Sequence, residues 1–212
     1  MKTKRGKIKA LIFDMGGVLA GANHHGKIEP VSDDIHVQIS KALGIGLDTW
    51  IDAIDSSYAK SIEGKLSLGR TKSIISKNLH IPSQTLEKKV LQVYKKLFSQ
   101  NKKLYDYAIR KKREGYKIAI LSDQWPFSKK ALFLPNLMKK FDAVVVSCDV
   151  GMRKPNPKIY KLILKKLKIK ADEAIFIDNR EWNLKPAKKL GMKTVLFRNN
   201  RQTIKDIEKL LR

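Results

Sequence analysis

Four short apolar runs in this chain lead into residues that can bear chemistry. Ile8 to Phe13 runs into Asp14, then Met15, Gly16, Gly17 and Val18. Lys117 to Leu121 ends in Ser122 and Asp123. Ala143 to Val146 leads to Gly151, Met152, Arg153, Lys154 and Pro155, and Ala174 to Ile177 ends in Asp178 and Asn179. In an open α/β sheet the ligand lies at the carboxyl ends of the strands. These positions therefore fall on one edge, although they span most of the sequence. Two carboxylates (Asp14, Asp178), a hydroxyl (Ser122) and an ammonium (Lys154) are thus gathered there. Singly, each has a plain structural role, since Asp and Ser cap helices and form turns. Their joint occurrence in this order points to a site.

The elements that must position these residues follow from periodicity. The runs at 8–13, 117–121, 143–146, 174–177 and 194–197 are continuously apolar, as strands buried on both faces of a parallel sheet are. Amphipathic helical patterns lie between them, near 102–114, 128–140, 156–168 and 182–190, with a last helix over 201–211. Gly115 and Gly191 follow helical patterns as C-terminal caps do, and Asn156-Pro157 is a helix start with Pro in the first turn. Pro186 requires that its helix begin only a few residues earlier. Residues 20–96 hold no strand pattern, and helical patterns begin near Ser32, Asp48, Ser67 and Ser83. The expectation is an α/β fold. A doubly wound, Rossmann-like parallel sheet forms a core from 1–19 and 97–212, and an all-helical cap is inserted over 20–96.

Bulk properties narrow the class. A chain of 212 residues with 42% hydrophobic and 31% charged residues reads as soluble and globular. No stretch approaches the ~20 apolar residues of a membrane span. The basic start followed by Ala10-Leu11-Ile12-Phe13 imitates a secretory signal, but Asp14 interrupts the apolar region. The single cysteine, Cys148, excludes an internal disulfide and a thiolate metal cluster. It reads as a buried structural thiol, and a cytoplasmic location is expected. The formal charge of +25 draws anions. The lysines are spread as doublets over nearly every helix without interleaved aromatics, so solvated helix faces are favoured over a nucleic-acid surface.

The ordered set Phe13-Asp14-Met15-Gly16-Gly17-Val18-Leu19, Ile120-Leu121-Ser122-Asp123, Gly151-Met152-Arg153-Lys154-Pro155 and Phe176-Ile177-Asp178-Asn179 resembles the four motifs of the haloacid dehalogenase superfamily of hydrolases. Asn183, Ala187 and Gly191-Met192 extend the fourth. The helical insertion is similar to the cap of the phosphoglycolate-phosphatase and sugar-phosphatase branches, and Ile62-Glu63-Gly64-Lys65-Leu66-Ser67 is similar to a recurrent cap turn. The resemblance implies a phosphatase acting on a small phosphorylated metabolite. Asp14 would be the nucleophile that forms an aspartyl-phosphate. Mg²⁺ would be held by Asp14, Asp178 and the Gly16 carbonyl. Ser122 would donate to a transferring oxygen, and Lys154 would pair with Asp14 and the phosphate. Asn179, Asn183 and Asp123 would support these groups from behind.

Two departures bear on activity. Most phosphatases of the superfamily carry a second aspartate two residues after the nucleophile, where this chain has Gly16. General acid–base help is worth about 10²–10⁴-fold. The expectation is therefore a preference for good leaving groups, or a substitute acid among Asp123, His24 and His25. Asn179 stands where an acid is common, which leaves two carboxylates for the metal. Two other readings follow. One is a weakened or inactive descendant binding a nucleotide, nucleic acid or protein. The other is a metal-independent dehalogenase, disfavoured by Asp178 and by Gly16 where that branch has an aromatic. Trp50, Tyr58 and Arg70 are candidate cap contacts for substrate, with a packing or surface role favoured for each. Substrate identity and oligomeric state are not readable from the sequence.

Overall fold

The computed structural model describes residues 7–24, 27–29 and 34–212, with side chains described outside 22–34. Chain order begins with β1 (Ala10–Phe13), β2 (Ala20–His24) and β3 (Lys27–Glu29). Helices α1 (Asp34–Leu43), α2 (Leu47–Ile62), α3 (Leu68–Leu79) and α4 (Ser83–Leu97) come next, then β4 (Ser99–Gln100) and α5 (Lys102–Arg113). Thereafter come β5 (Lys117–Ser122), α6 (Pro126–Leu132), α7 (Pro135–Met138), β6 (Ala143–Val146), α8 (Ser147–Val150) and α9 (Pro157–Leu167). The chain closes with β7 (Ala174–Asp178), α10 (Glu181–Lys189), β8 (Lys193–Leu196) and α11 (Asn200–Leu211).

The main sheet is parallel, with order β6-β5-β1-β7-β8. Chain direction across the sheet reverses at β1, and that reversal opens a crevice at its carboxyl end. Side chains alternate across each strand. Leu11, Phe13, Ile118, Ile120, Ile175 and Ile177 pack with Leu104, Tyr107 and Ala108 of α5 and Ile207 of α11. Ala10, Ile12, Ala119, Leu121, Ala174 and Phe176 pack with Ile159, Tyr160 and Ile163 of α9 and Leu184 and Ala187 of α10. Helices thus cover both faces, which is why the strands read as unbroken apolar runs. The α/β class and the parallel core expected from sequence are what the structure has.

Three local features differ from expectation. Residues 20–96 do contain strands: β2 pairs antiparallel with β3 (Ala22 opposite Glu29) and with β4 (Ala20 opposite Gln100). The chain leaving the core and the chain returning to it run side by side, and pairing satisfies their backbone polar groups. The expected helix near 128–140 is two short ones, because Pro135 lacks the donor to continue a helix and disfavours a helical Leu134. A turn of helix, α8, directly follows β6. Pro186 lies inside α10, five residues after its start, near the beginning as expected. Ser32, one expected helix start, lies outside the described residues.

Helices α1–α4 share an apolar cluster of Ile39, Trp50, Ile54, Ile75, Leu86 and Val90. Trp125 and Phe127, from the segment after β5, complete it. The Trp125 indole Nε1 donates to the Tyr94 hydroxyl at 2.7 Å. A second seam is the turn after α2. There Gly64 has φ +70°, and a Cβ would lie 2.8 Å from the Cys148 carbonyl oxygen. Gly115, at φ +95°, would meet nothing within 4 Å. Gly115→Ala therefore carries only the left-handed penalty of about 1–2 kcal/mol, and Gly64→Ala carries that penalty plus a backbone collision. Denaturant unfolding should show the larger loss for Gly64→Ala. Equal losses would mean that the turn does not bear on the core.

Candidate active site

Register places the site. Phe13 is opposite both Ile120 and Ile177, and the Asp14 N–H donates to the Ile177 carbonyl at 2.9 Å. One step on, Asp14 and Asp178 stand level at the ends of adjacent parallel strands. Both continue the even-numbered positions that face α9 and α10, so their carboxylates emerge on the same side. Lys154 arrives from the loop before α9. Its ammonium donates to Asp14 Oδ2 at 3.0 Å and to Asp178 Oδ2 at 2.7 Å, and it lies over the Phe176 ring. It is 2% exposed, so a charged group sits in the interior only because two carboxylates face it.

Each partner is held in turn. The Met15 N–H donates to Asp14 Oδ1 at 2.7 Å, and the Ser122 hydroxyl, fully buried, also bonds the Asp14 carboxylate. Asp178 Oδ1 accepts the Arg180 N–H at 2.8 Å. Asn183 donates to both Asp178 oxygens at 3.2 and 3.1 Å, and the Asn183 carbonyl accepts the Tyr160 hydroxyl. Asp123 Oδ1 accepts the Lys154 backbone N–H at 3.0 Å, pinning the loop that carries the ammonium. Of the expected residues, then, Asp14, Ser122, Asp123, Lys154, Asp178 and Asn183 lie in one connected network.

Burial pushes the Asp14 carboxyl up, Lys154 pulls it down and Asp178 raises it again, leaving it at about 6. Burial also opposes the charge on Lys154, but Asp14, Asp178 and Asp123 outweigh it, and the ammonium stays charged well past its ordinary range. Asp123 is raised, chiefly by burial and against the pull of Lys154. The Cys148 thiol is pushed up to about 11, chiefly by burial, which keeps it protonated and inert as expected of a structural thiol.

A cavity of about 150 Å³ opens over the network. Asp14, Gly16, Asp123, Gln124, Lys154 and Asn179 line it from the core, and Tyr58, Ile62, Tyr94 and Phe98 from the helical side. Of the three candidate cap contacts, Tyr58 is at the cavity. Trp50 is fully buried in packing and Arg70 is exposed elsewhere. Of the proposed substitute acids, Asp123 lines the cavity, His25 lies outside the described residues, and the side chain of His24 does too. Arg180 also lines the cavity, and the Arg153 and Arg180 charges reach the Tyr58 hydroxyl.

The donor set can be tested against a divalent cation. Among the described residues no group of three or more His, Cys, Asp or Glu side chains is placed so that it could hold a metal ion. That argues against a transition-metal cage, and two carboxylates with carbonyl oxygens match what Mg²⁺ uses alongside substrate phosphate. Asn179 Oδ1 is buried without a hydrogen-bond partner, an acceptor that a cation or its water would satisfy. Asn179 is held close: a Cβ on Gly17, at φ +74°, would lie 2.5 Å from its Nδ2.

Sequence reasoning passed over Gln124. It is 7% exposed, its Nε2 donates to Ser122 Oγ at 3.0 Å, and it faces the cavity. Reading one residue further past strand β5 would have found it. Asn101 was missed as well. Its side chain donates to the Val18 carbonyl at 2.8 Å and its backbone N–H to Leu19, which ties down the loop after Asp14.

Residues 8–191 match the haloacid dehalogenase-like hydrolase family. This chain belongs to that family. Among relatives of this haloacid dehalogenase-like hydrolase, bifunctional epoxide hydrolase 2 of Rattus norvegicus is 27% identical over 96% of this chain. The chain spans only 39% of that relative's length. A glyceraldehyde 3-phosphate phosphatase of Pyrococcus furiosus is 35% identical over 47% of this chain and 42% of its own. A HAD family enzyme of Bacteroides thetaiotaomicron, solved in complex with magnesium and inorganic phosphate, superposes with a TM-score of 0.68. It shares 20% identity and covers 91% of this chain and 95% of its own. No helix among the described residues is long and apolar enough to cross a membrane.

Removing the ammonium strands two buried carboxylates. Lys154→Met should lower stability by about 3–5 kcal/mol at neutral pH. The sign with pH follows from Asp14. Its folded pKa lies above its ordinary value, so the folded state holds the extra proton and its stability falls as pH rises through about 6. Without Lys154 that pKa climbs further. The deficit against wild type should thus be small near pH 5 and grow above pH 6, measured by urea unfolding of the metal-free protein. A deficit independent of pH would show that the pair is not coupled as described.

Proposed function

We propose that this hydrolase is a magnesium-dependent phosphatase that acts on a small phosphorylated molecule through an aspartyl-phosphate on Asp14. The observation that carries the reading is the charge balance of the cavity. Asp14, Asp123 and Asp178 are matched by Lys154, Arg153 and Arg180, with Lys154 bridging Asp14 and Asp178, so the cations of the site are already ion-paired or balanced. A divalent cation would add the positive charge that a phosphate dianion needs beside these carboxylates. Asp14, Asp178 and the Gly16 carbonyl would hold magnesium, with Asn179 beside them, and the ion would supply charge neutralisation for the transferring group. The Bacteroides enzyme's complex with magnesium and phosphate and the Pyrococcus phosphatase activity support the same reading.

In the first step the Asp14 carboxylate forms a bond to phosphorus, and the bond from phosphorus to the leaving oxygen breaks. That oxygen keeps the electron pair and is protonated by water. Lys154 holds Asp14 in line, and Ser122 donates to a phosphoryl oxygen. In the second step water attacks phosphorus, the bond to Asp14 breaks and the carboxylate is restored. The water's proton leaves with the product phosphate. With Gly16 at the usual acid's position, leaving groups that depart without a proton are favoured. The cavity volume limits the substrate to a small molecule, and the helical cap, proposed over 20–96, contributes Tyr58, Ile62 and Tyr94 to its walls.

p-Nitrophenyl phosphate should be hydrolysed with Mg²⁺ and not with EDTA. Asp14→Asn should lower kcat at least about 10³-fold. Turnover that survives Asp14→Asn, or ignores metal, would contradict the mechanism.

A further inference from the structure

The backbone at Gly16 points at a particular neighbour. A Cβ built there would lie 3.8 Å from Gln124 Nε2, with no other atom nearer. The Gln124 amide thus lies in van der Waals reach of the place a side chain at position 16 would start from. Gln124 is fixed at its backbone, whose N–H donates to Ser147 Oγ at 3.0 Å and whose carbonyl accepts the Ser147 hydroxyl at 3.3 Å. One amide N–H goes to Ser122 Oγ, and the Ser122 hydroxyl turns to Asp14. The amide oxygen accepts no hydrogen bond among the described residues, although the side chain lines the cavity. Its unused donor and acceptor capacity is therefore available to whatever occupies the cavity.

We propose that Gln124 replaces the missing side chain at position 16 as the group that touches the reacting oxygens, hydrogen bonding to them without transferring a proton. This rests on the phosphatase reading. The free N–H donates to the leaving oxygen as its bond to phosphorus breaks, and the proton that oxygen finally takes comes from solvent. The amide oxygen accepts from the attacking water in the second displacement, and the proton of that water departs on the phosphate. An amide has no titrating proton in the working range, so Gln124 orients where a carboxyl would exchange protons. The site is then one for phosphoesters whose leaving group departs as a stable anion.

Two near-isosteric variants test this. Gln124→Met keeps length and loses both contacts, so the water-consuming step should slow about tenfold. p-Nitrophenol would then appear as a burst of up to one equivalent per site, followed by a slower steady rate. Gln124→Glu puts a carboxyl at the same place. Its rate on glycerol phosphate relative to p-nitrophenyl phosphate should rise at least about tenfold on the acidic side, where the new group is protonated, and fall back above neutral pH. A residue that merely holds Ser122 would lower both substrates equally in both variants, with no burst and no pH-dependent ratio, and that result overturns the role. Both variants failing to fold would also overturn it, because the amide would then be a packing group. Wild type without magnesium-dependent turnover overturns the phosphatase reading and the role together.

Discussion

Everything at this site depends on one buried ammonium standing between two carboxylates. Lys154 cannot be charged in the interior without Asp14 and Asp178, and they cannot both be ionised at the same strand ends without it. The cost of removing three charges from water is met by the network behind them. Met15 and Ser122 hold Asp14, Arg180 and Asn183 hold Asp178, and Asp123 holds the backbone of Lys154. That network spans residues from 14 to 183 in sequence, so the chemistry exists only in the completed sheet. A half-formed core would leave charges stranded, which ties the integrity of the fold to the integrity of the site.

The same segment that follows strand β5 carries both chemistry and architecture. Asp123 and Gln124 line the cavity with Ser122 buried behind them, and the next residue, Trp125, enters the apolar cluster of the helical unit and bonds Tyr94. Shifting the helices would therefore pull on the residues beside the nucleophile. Gly64, pressed against the Cys148 carbonyl, fixes the other side of that seam. The cavity walls and the network around Lys154 are thus joined through one continuous segment.

The parallel core was legible because strands buried on both faces must be continuously apolar, and the edge of chemistry was legible because such strands end on one side. What escaped had weaker or more local signals. β2, β3 and β4 are short and polar, and their pairing comes from the return of the chain rather than from periodicity. The break at Pro135 was overlooked although the residue announces it. Gln124 stands next to the residues read at the end of β5, but a lone amide has no pattern, and its meaning comes from its distance to a glycine 108 positions earlier in the chain. Arg70 is exposed away from the cavity, the surface role favoured for it, so a charge on a helix of that unit says little about substrate.

The central claim is that the carboxylate of residue 14 takes the phosphoryl group. Acid quenching during turnover of p-nitrophenyl phosphate, followed by borohydride reduction and peptide mass spectrometry, addresses it directly. An acyl phosphate at that position is reduced to homoserine. The account predicts homoserine at position 14 only when Mg²⁺ and substrate are both present. Steady turnover with Asp14 unmodified at every quench time, or reduction at another carboxylate, would contradict it.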